Sequence, residues 1–361
     1  MKQGRSLKEA KAERAAKKRR AKRRRRVIVL LVELFILFTL LGVGYVMSKY
    51  GKFQLHMFGD GDIVKNEGVE KEGYTTIALF GGDSREGELE AGTHADTIMI
   101  VSIDNDTKEV KLVSVYRDLI VKRPDGKLGK ANSSYFLGGP KQAINMLNQN
   151  FDLDIEDYVT VDFTVMADVV DKLGGIEIDV TDAEAQEMNN YIGETADVTG
   201  KKAKRVKGGL QTLDGVQAVT YSRIRKNVGG DYARTERQRI VIQKLAEKVK
   251  DTDLSTIIDL IDTVFPHIST SFTLKELISL VTGVFQYELG ESKGFAFEHT
   301  DGNVKGIGSV VVPLGVTQNV EEMHAFLYPK AEYSVSETVQ TIAQEIESAT
   351  GYTREDYKET E

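Results

Sequence analysis

The stretch Asp96–Asp118, "DTIMIVSIDNDTKEVKLVSVYRD", decides the fold. Two runs rich in apolar and β-branched residues, "DTIMIVSID" and "EVKLVSVY", flank the polar turn Asn105-Asp106-Thr107-Lys108, which predicts an antiparallel hairpin. Upstream, "YTTIALF" at Tyr74–Phe80 reads as another strand. Downstream the apolar period changes: "GGPKQAINMLNQNF" predicts a helix with Pro140 in its first turn, and "DYVTVDF" a strand. "TVMADVVDKLGG" then predicts a helix closed by Gly174 and Gly175, followed by the strand "IEIDV". "LDGVQAVTYSRIR" opens on a good N-cap, Asp214, and "DYARTERQRIVIQKLAEKVK" predicts the longest helix, with Asp231 as its N-cap. Strands alternating with helices predict an α/β sandwich.

The chain has 361 residues, no Cys, no Trp and a formal net charge of -7. That figure hides an asymmetry. Met1–Arg26 carries fourteen Lys and Arg against two Glu, a balance of +12, so the remaining 335 residues sum to -19. Next comes "VIVLLVELFILFTLLGVGYVM", Val27–Met47, apolar except for Glu33 and Thr39. At ~1.5 Å per residue it spans roughly 30 Å, the thickness of a bilayer core, and predicts a transmembrane helix. The run exceeds a signal-peptide core and ends at Ser48, Lys49 and Tyr50 instead of a small-residue cleavage site. Basic residues stay inside, so residues 1–26 are expected in the cytoplasm and everything after Met47 outside. The tail lacks the aromatic interleaving of a nucleic-acid binder and reads as a topology signal touching anionic lipid.

Residues 48–73, polar and punctuated by Gly, read as an extracellular linker, and 74–329 as the folded domain. Without Cys no disulfide staples that domain, which therefore needs an ordinary core. "DLSTIIDLIDTVF" and "TLKELISLVTGVF" read as amphipathic helices, and "GSVVVPLG" as a strand. Residues 330–361 are acidic and polar and are expected to form a weakly ordered tail.

Within this acidic body, "YSRIRKNVGGDYARTERQR", Tyr221–Arg239, concentrates six basic residues against Asp231 and Glu236. On the long helix, the apolar stripe Val241, Leu245 and Val249 extends backward to Gln238 and Arg234, so these two polar residues face the body. A cation in the first turn opposes the helix dipole and calls for an anion. Flexible Gly229-Gly230 and the nearby Arg223 and Arg225 suit phosphate. Solvated surface arginines account for the pattern equally well on sequence logic alone.

"GGDSR" places Asp83 and Arg85 at the C-terminal end of the first strand, where open α/β sheets bind ligands. "HADT" places Asp96 at the start of the next strand, and "VYRD" places Arg117 and Asp118 at the exit of its partner. Asp83 and Asp96 beside several arginines suggest a hard cation held between protein and phosphate oxygens. No P-loop, His-Glu-x-x-His or Gly-x-Ser-x-Gly motif occurs, so a covalent Ser or Cys hydrolase is not expected. Val161, Phe163, Val169 and Val170 are candidates for an apolar groove and equally good core residues.

Six motifs in order, "GGDSR", "HADTIMIVSID", "VSVYRD", "KANSSYFLGGPKQAINMLN", "YVTVDFTVMADVVDKLGGIEIDV" and "LDGVQAVTYSRIRKNVGGDYARTERQR", resemble the LytR-CpsA-Psr family over about residues 74–250. The resemblance implies an α-β-α sandwich with a mixed central sheet, preceded by one transmembrane helix, in the short form without an accessory domain. It also implies a membrane-anchored phosphotransferase of mainly Gram-positive bacteria. Such an enzyme moves an anionic glycopolymer, such as teichoic acid or capsule, from undecaprenyl pyrophosphate to peptidoglycan. It assigns Asp83 and Asp96 to Mg2+, and Arg85, Arg117, Arg223, Arg225, Arg234 and Gln238 to the pyrophosphate, with Asp83, Arg117 and Arg225 catalytic. Tyr116 replaces the Pro that the family often has before the Arg of "VYRD". The competing reading is a membrane-anchored regulator or transcriptional attenuator that binds polyprenyl phosphate without turnover. An exported domain disfavours the attenuator.

Overall fold

The computed structural model describes residues 54–55, 57–59, 61–82, 89, 91–264, 267–273, 276, 280, 283 and 285–356. The expected transmembrane run at 27–47 and the basic tail at 1–26 lie outside these, and among the described residues no helix is long and apolar enough to cross a membrane.

The quoted hairpin lies within the main sheet, between the strands Tyr74–Gly82 and Glu288–Phe295. In chain order, β1 (Gln54–Leu55) and β2 (Tyr74–Gly82) precede it, β3 (Ala95–Asp104) and β4 (Glu109–Val115) form it, and the small ladder β5 (Ile120–Lys122) with β6 (Leu128–Lys130) follows. Then come α1 (Ala131–Phe151), β7 (Asp157–Asp162), α2 (Phe163–Lys172), β8 (Ile176–Val180), α3 (Asp182–Thr199), β9 (Gly209–Leu213), α4 (Gly215–Arg223), α5 (Gly230–Lys250) and α6 (Leu254–Val264). The chain ends through β10 (Ser269–Thr270), β11 (Glu288–Phe295), β12 (His299–Val304), β13 (Gly308–Pro313), α7 (Val316–Leu327) and α8 (Glu337–Thr350). Among the described residues, seven strands make the main sheet in the order β1-β10-β7-β2-β3-β4-β11. It is mixed: β2, β3 and β4 are antiparallel, whereas β7 joins β2 and β11 joins β4 in parallel.

Strand alternation sorts side chains onto two faces. Ala78, Phe80, Ile98, Ile100, Val113 and Val115 bury one face under α1, α7 and α8 in the largest core cluster. The other face, with Ile77, Val101, Ile103 and Val159, packs on Phe272. A separate core joins α2 to α5 with the β8–β9 ladder. The mixed α/β architecture with a mixed central sheet agrees with the expected fold class.

Two expected boundaries are too narrow, because the compact unit holding the sheet runs Phe53–Glu361. Part of the expected linker is packed against α1: Val64 N–H donates to Asn145 Oδ1 at 2.8 Å, and Val69 is buried. The expected weakly ordered tail is instead anchored. Ser336 caps α8, whose Val339, Ile342, Ala343 and Ile346 enter the main core, and Lys122 of β5 pairs with Glu345. Those four residues follow helical spacing, but charged and polar neighbours dilute the signal. Asp231 is not the N-cap of α5; Gly229, at φ 86, holds that position and Asp231 lies in the first turn. Left-handed backbone at Gly229 starts the helix two residues early.

Candidate functional site

Asp96 owes its place to a β-bulge. Gly81 pairs with Thr97 and Gly82 with Ala95, so Asp96 is the extra residue, left out of the ladder and turned from the pleat. A Cβ on Gly81 would stand 2.9 Å from Thr97 Cβ, which makes glycine necessary for that close pairing. Arg117 follows β4, its carbonyl accepting Asn132 N–H at 3.0 Å from the start of α1. Arg223 ends α4, a helix opened by a capping box between Asp214 and Gln217. Arg225 stands in the loop between α4 and α5, and Arg234 and Gln238 share one face of α5.

These segments converge. Arg117 Nη1 donates to Asp96 Oδ1 at 2.6 Å, while Arg234 lies between Asp231 at 3.0 Å and Asp96 at 3.5 Å. Arg225 and Arg117 also approach Asp231, at 3.7 and 4.0 Å. Neither carboxylate oxygen of Asp231 receives a hydrogen bond although both are buried, so these contacts are charge pairs without hydrogen-bond alignment. Arg223 reaches Glu194 and Thr195 of α3, each at 3.3 Å, and lies over the Phe163 ring at 4.6 Å.

Arg234 is 3% exposed. Burial pushes its pKa below the ordinary arginine value, against the pull of Asp231 and Asp96, with Arg117 and Arg225 depressing it further. Arginine nevertheless stays charged in proteins. At Arg117 burial acts the same way, but Asp96, Asp118 and Asp231 outweigh it and raise the pKa.

Arg223, Arg225, Lys226, Arg234, Asp96 and Gln238 line a cavity of about 420 Å³, closed on the α3 side by Tyr191, Glu194 and Thr195. An apolar crevice of about 40 Å³ shares Phe163 and Gln238 with it and includes Val161, Met166 and Val241. Of the four groove candidates, Val161 and Phe163 line this crevice, whereas Val170 is fully buried in the second core and Val169 packs against it.

The structure therefore brings together Asp96, Arg117, Arg223, Arg225, Arg234 and Gln238. Asp83 and Arg85 lie outside the described residues. Sequence reading missed the roles of Asp231 and the α3 wall; Thr181-x-x-Glu184, a capping box in the structure, was the available signal for that helix. Among the described residues no group of three or more His, Cys, Asp or Glu is placed to hold a metal ion. Asp96 and the unbonded oxygens of Asp231 are nonetheless hard donors of the kind a divalent cation takes.

A family model described as the LytR_cpsA_psr family matches residues 49–323. The regulatory protein MsrR of Staphylococcus aureus is 30% identical over 210 residues, which cover 58% of this chain and 57% of that protein. The chain thus spans less than two thirds of that relative's length. The polyisoprenyl-teichoic acid--peptidoglycan teichoic acid transferase TagV of Bacillus subtilis is 27% identical over 270 residues, covering 69% of this chain and 67% of that one. Among solved structures, the LytR-CPS2A-psr family protein YwtF (TagT) with bound octaprenyl pyrophosphate lipid has the same fold. Its TM-score is 0.52 at 19% identity, over 81% of this chain and 95% of that one.

Proposed function

The chain belongs to the LytR-CpsA-Psr family, and on that premise we propose that it transfers an anionic glycopolymer from an undecaprenyl-pyrophosphate donor to peptidoglycan. The observation that carries the proposal is the cavity of Arg223, Arg225 and Arg234 beside an apolar crevice. Guanidinium groups suit a pyrophosphate and the crevice suits the first isoprene units of its tail. Relatives named as teichoic acid transferases and a fold relative holding a polyprenyl pyrophosphate support this reading. Val27–Met47 would anchor the chain, with the folded unit outside the cell.

In the proposed reaction an acceptor hydroxyl oxygen forms a bond to the phosphorus that carries the glycopolymer. The bond from that phosphorus to the bridging oxygen breaks, and polyprenyl monophosphate leaves with the electron pair. Charge grows on the leaving phosphate, where Arg225, Arg234 and Arg117 stabilise it. Arg223, held over Phe163, orients the headgroup at the crevice mouth. The acceptor proton passes to a carboxylate, a role that falls to Asp83 next to β2 on its position in the sequence. Asp96 and Asp83 would hold Mg2+, which when bound would supply charge neutralisation at the phosphates.

The test is reconstitution of the full-length protein in vesicles with a lipid-linked glycopolymer and peptidoglycan. Polymer-linked peptidoglycan and released polyprenyl phosphate, both dependent on Arg225, are the expected products. Retention of the donor without either product would replace transfer with a binding role. Absence of any isoprenoid from the purified protein, by lipid mass spectrometry, together with no donor binding, would overturn the lipid reading altogether.

A further inference from the structure

Arg237 stands one turn beyond Arg234 on α5, is 4% exposed and is absent from the cavity wall. Its guanidinium holds the backbone of one loop at two points. Nη2 donates to Ile224 O at 2.6 Å and Nη1 to Val228 O at 3.1 Å. Between those carbonyls lie Arg225 and Lys226, both cavity residues.

That loop has little stiffness of its own. Residues 225–227 and Gly229 are exposed, and Asn227, Gly229 and Gly230 all have positive φ. It is closed at one point by Gly230 N–H donating to Arg225 O at 3.0 Å. The fork of Arg237 adds two further anchors, one at each end. Arg237 is in turn fixed by Glu184 Oε1 at 3.3 Å, while Glu184 Oε2 closes the capping box on Thr181 at the start of α3. The Tyr221 ring lies 5.9 Å from the guanidinium on α4. α3 supplies the opposite wall through Tyr191, Glu194 and Thr195. Glu184 and Arg237 therefore tie the arginine loop to the helix that faces it across the cavity.

We propose that Arg237 is a positioning residue, which acts through the Ile224–Val228 backbone to direct Arg225 into the cavity and never touches the bound headgroup. The binding consequence rests on the headgroup reading above; the backbone consequence does not. Lysine preserves the charge facing Glu184 but lacks a planar fork that serves two carbonyls and a carboxylate at once, so Arg237→Lys isolates the fork.

The experiment uses full-length protein in detergent micelles and compares wild type, Arg237→Lys, Arg225→Ala and the double variant. Without ligand, amide exchange across residues 225–229 in Arg237→Lys should rise about tenfold, with exchange in β2–β4 and α1 unchanged. With inorganic pyrophosphate as probe, affinity should fall about tenfold, and the double variant should bind no more weakly than Arg225→Ala, because both changes remove one contribution. Unchanged loop exchange, or acceleration spread equally through the sheet, would overturn the proposal, as would additive losses in the double variant. Should wild type fail to bind pyrophosphate, the headgroup reading fails and the exchange comparison alone decides the role of Arg237. If Arg237→Lys does not fold, Glu184→Gln leaves both carbonyl bonds but frees the guanidinium, and the same localised rise in exchange is expected or the proposal falls.

Discussion

Replacing Arg234 with Met keeps an unbranched apolar stem and deletes the most buried charge of the site. In the native protein Arg234 stands 3.0 Å from Asp231 and 3.5 Å from Asp96. At an effective dielectric of about 20 each gross attraction is near 5 kcal/mol, most of it offset by the desolvation that burial imposes. Breaking such a buried pair from one side costs about 3–5 kcal/mol. The lower end applies here, because Arg225 and Arg117 remain near Asp231 and Arg117 still holds Asp96. A loss of about 3 kcal/mol lowers Tm by roughly 4–6 °C in the unit Phe53–Glu361. Thermal unfolding by circular dichroism reads it, and Asp231→Asn completes a double-mutant cycle. The double variant should be less destabilised than the two single losses added, by about 1–2 kcal/mol. A Tm within about 2 °C of wild type for Arg234→Met, or full additivity, would refute the claim that these carboxylates are the counter-ions of Arg234.

His324 is buried, stacked on Tyr333 at 3.6 Å, with Nε2 donating to Phe151 O at 2.8 Å and Nδ1 buried without a partner. Burial lowers its pKa from 6.5 to about 4, and Lys71 adds to this while Asp152 opposes it. As pH falls the unfolded chain takes up this proton first, so the contribution is full above about pH 6.5 and is lost toward pH 4, by roughly 3 kcal/mol; denaturant unfolding of His324→Gln should lack that slope. Ile342→Ala should cost about 2–4 kcal/mol by urea unfolding, and a cost below about 0.5 would mean that α8 does not belong to the core. Arg117→Lys should lose at least about tenfold in transfer, since an ammonium cannot serve Asp96, Asp118 and a phosphate together; unchanged transfer would remove Arg117 from the chemistry. Asp96→Asn should abolish any rise in Tm that Mg2+ gives with pyrophosphate, and an undiminished rise would clear Asp96 as a ligand.

The hairpin and the helices from α1 to α5 were legible, except α3, because their apolar period is local, although the start of α5 was misplaced. β11 was not: "ELGESKGF" is polar and glycine-bearing, and becomes a strand only by parallel pairing with β4, far away in sequence. The same distinction runs through the site. Arg234 facing inward follows from the stripe through Val241 and Leu245, and Asp96 and Arg117 follow from strand ends. The pairing of Arg234 with Asp231 and Asp96 is different, since it depends on a glycine-started helix and on a bulge between Gly81 and Gly82. Sequence logic asked for an external anion beside Arg234; the fold supplies carboxylates first, leaving Arg223 and Arg225 nearer the opening. No local signal announces that exchange.

Asp96 and Arg234, whose contact completes the site, are 138 residues apart in the chain. Closing a loop of that length costs conformational entropy before the contact rewards it, so this contact is expected to form after the local hairpin. A headgroup that recognises only the finished arrangement should therefore slow unfolding without hastening folding. In a newly made chain the order matters. On the transfer reading proposed above, copies whose sheet is still incomplete would have no grip on a lipid headgroup and could not sequester it before they are able to use it.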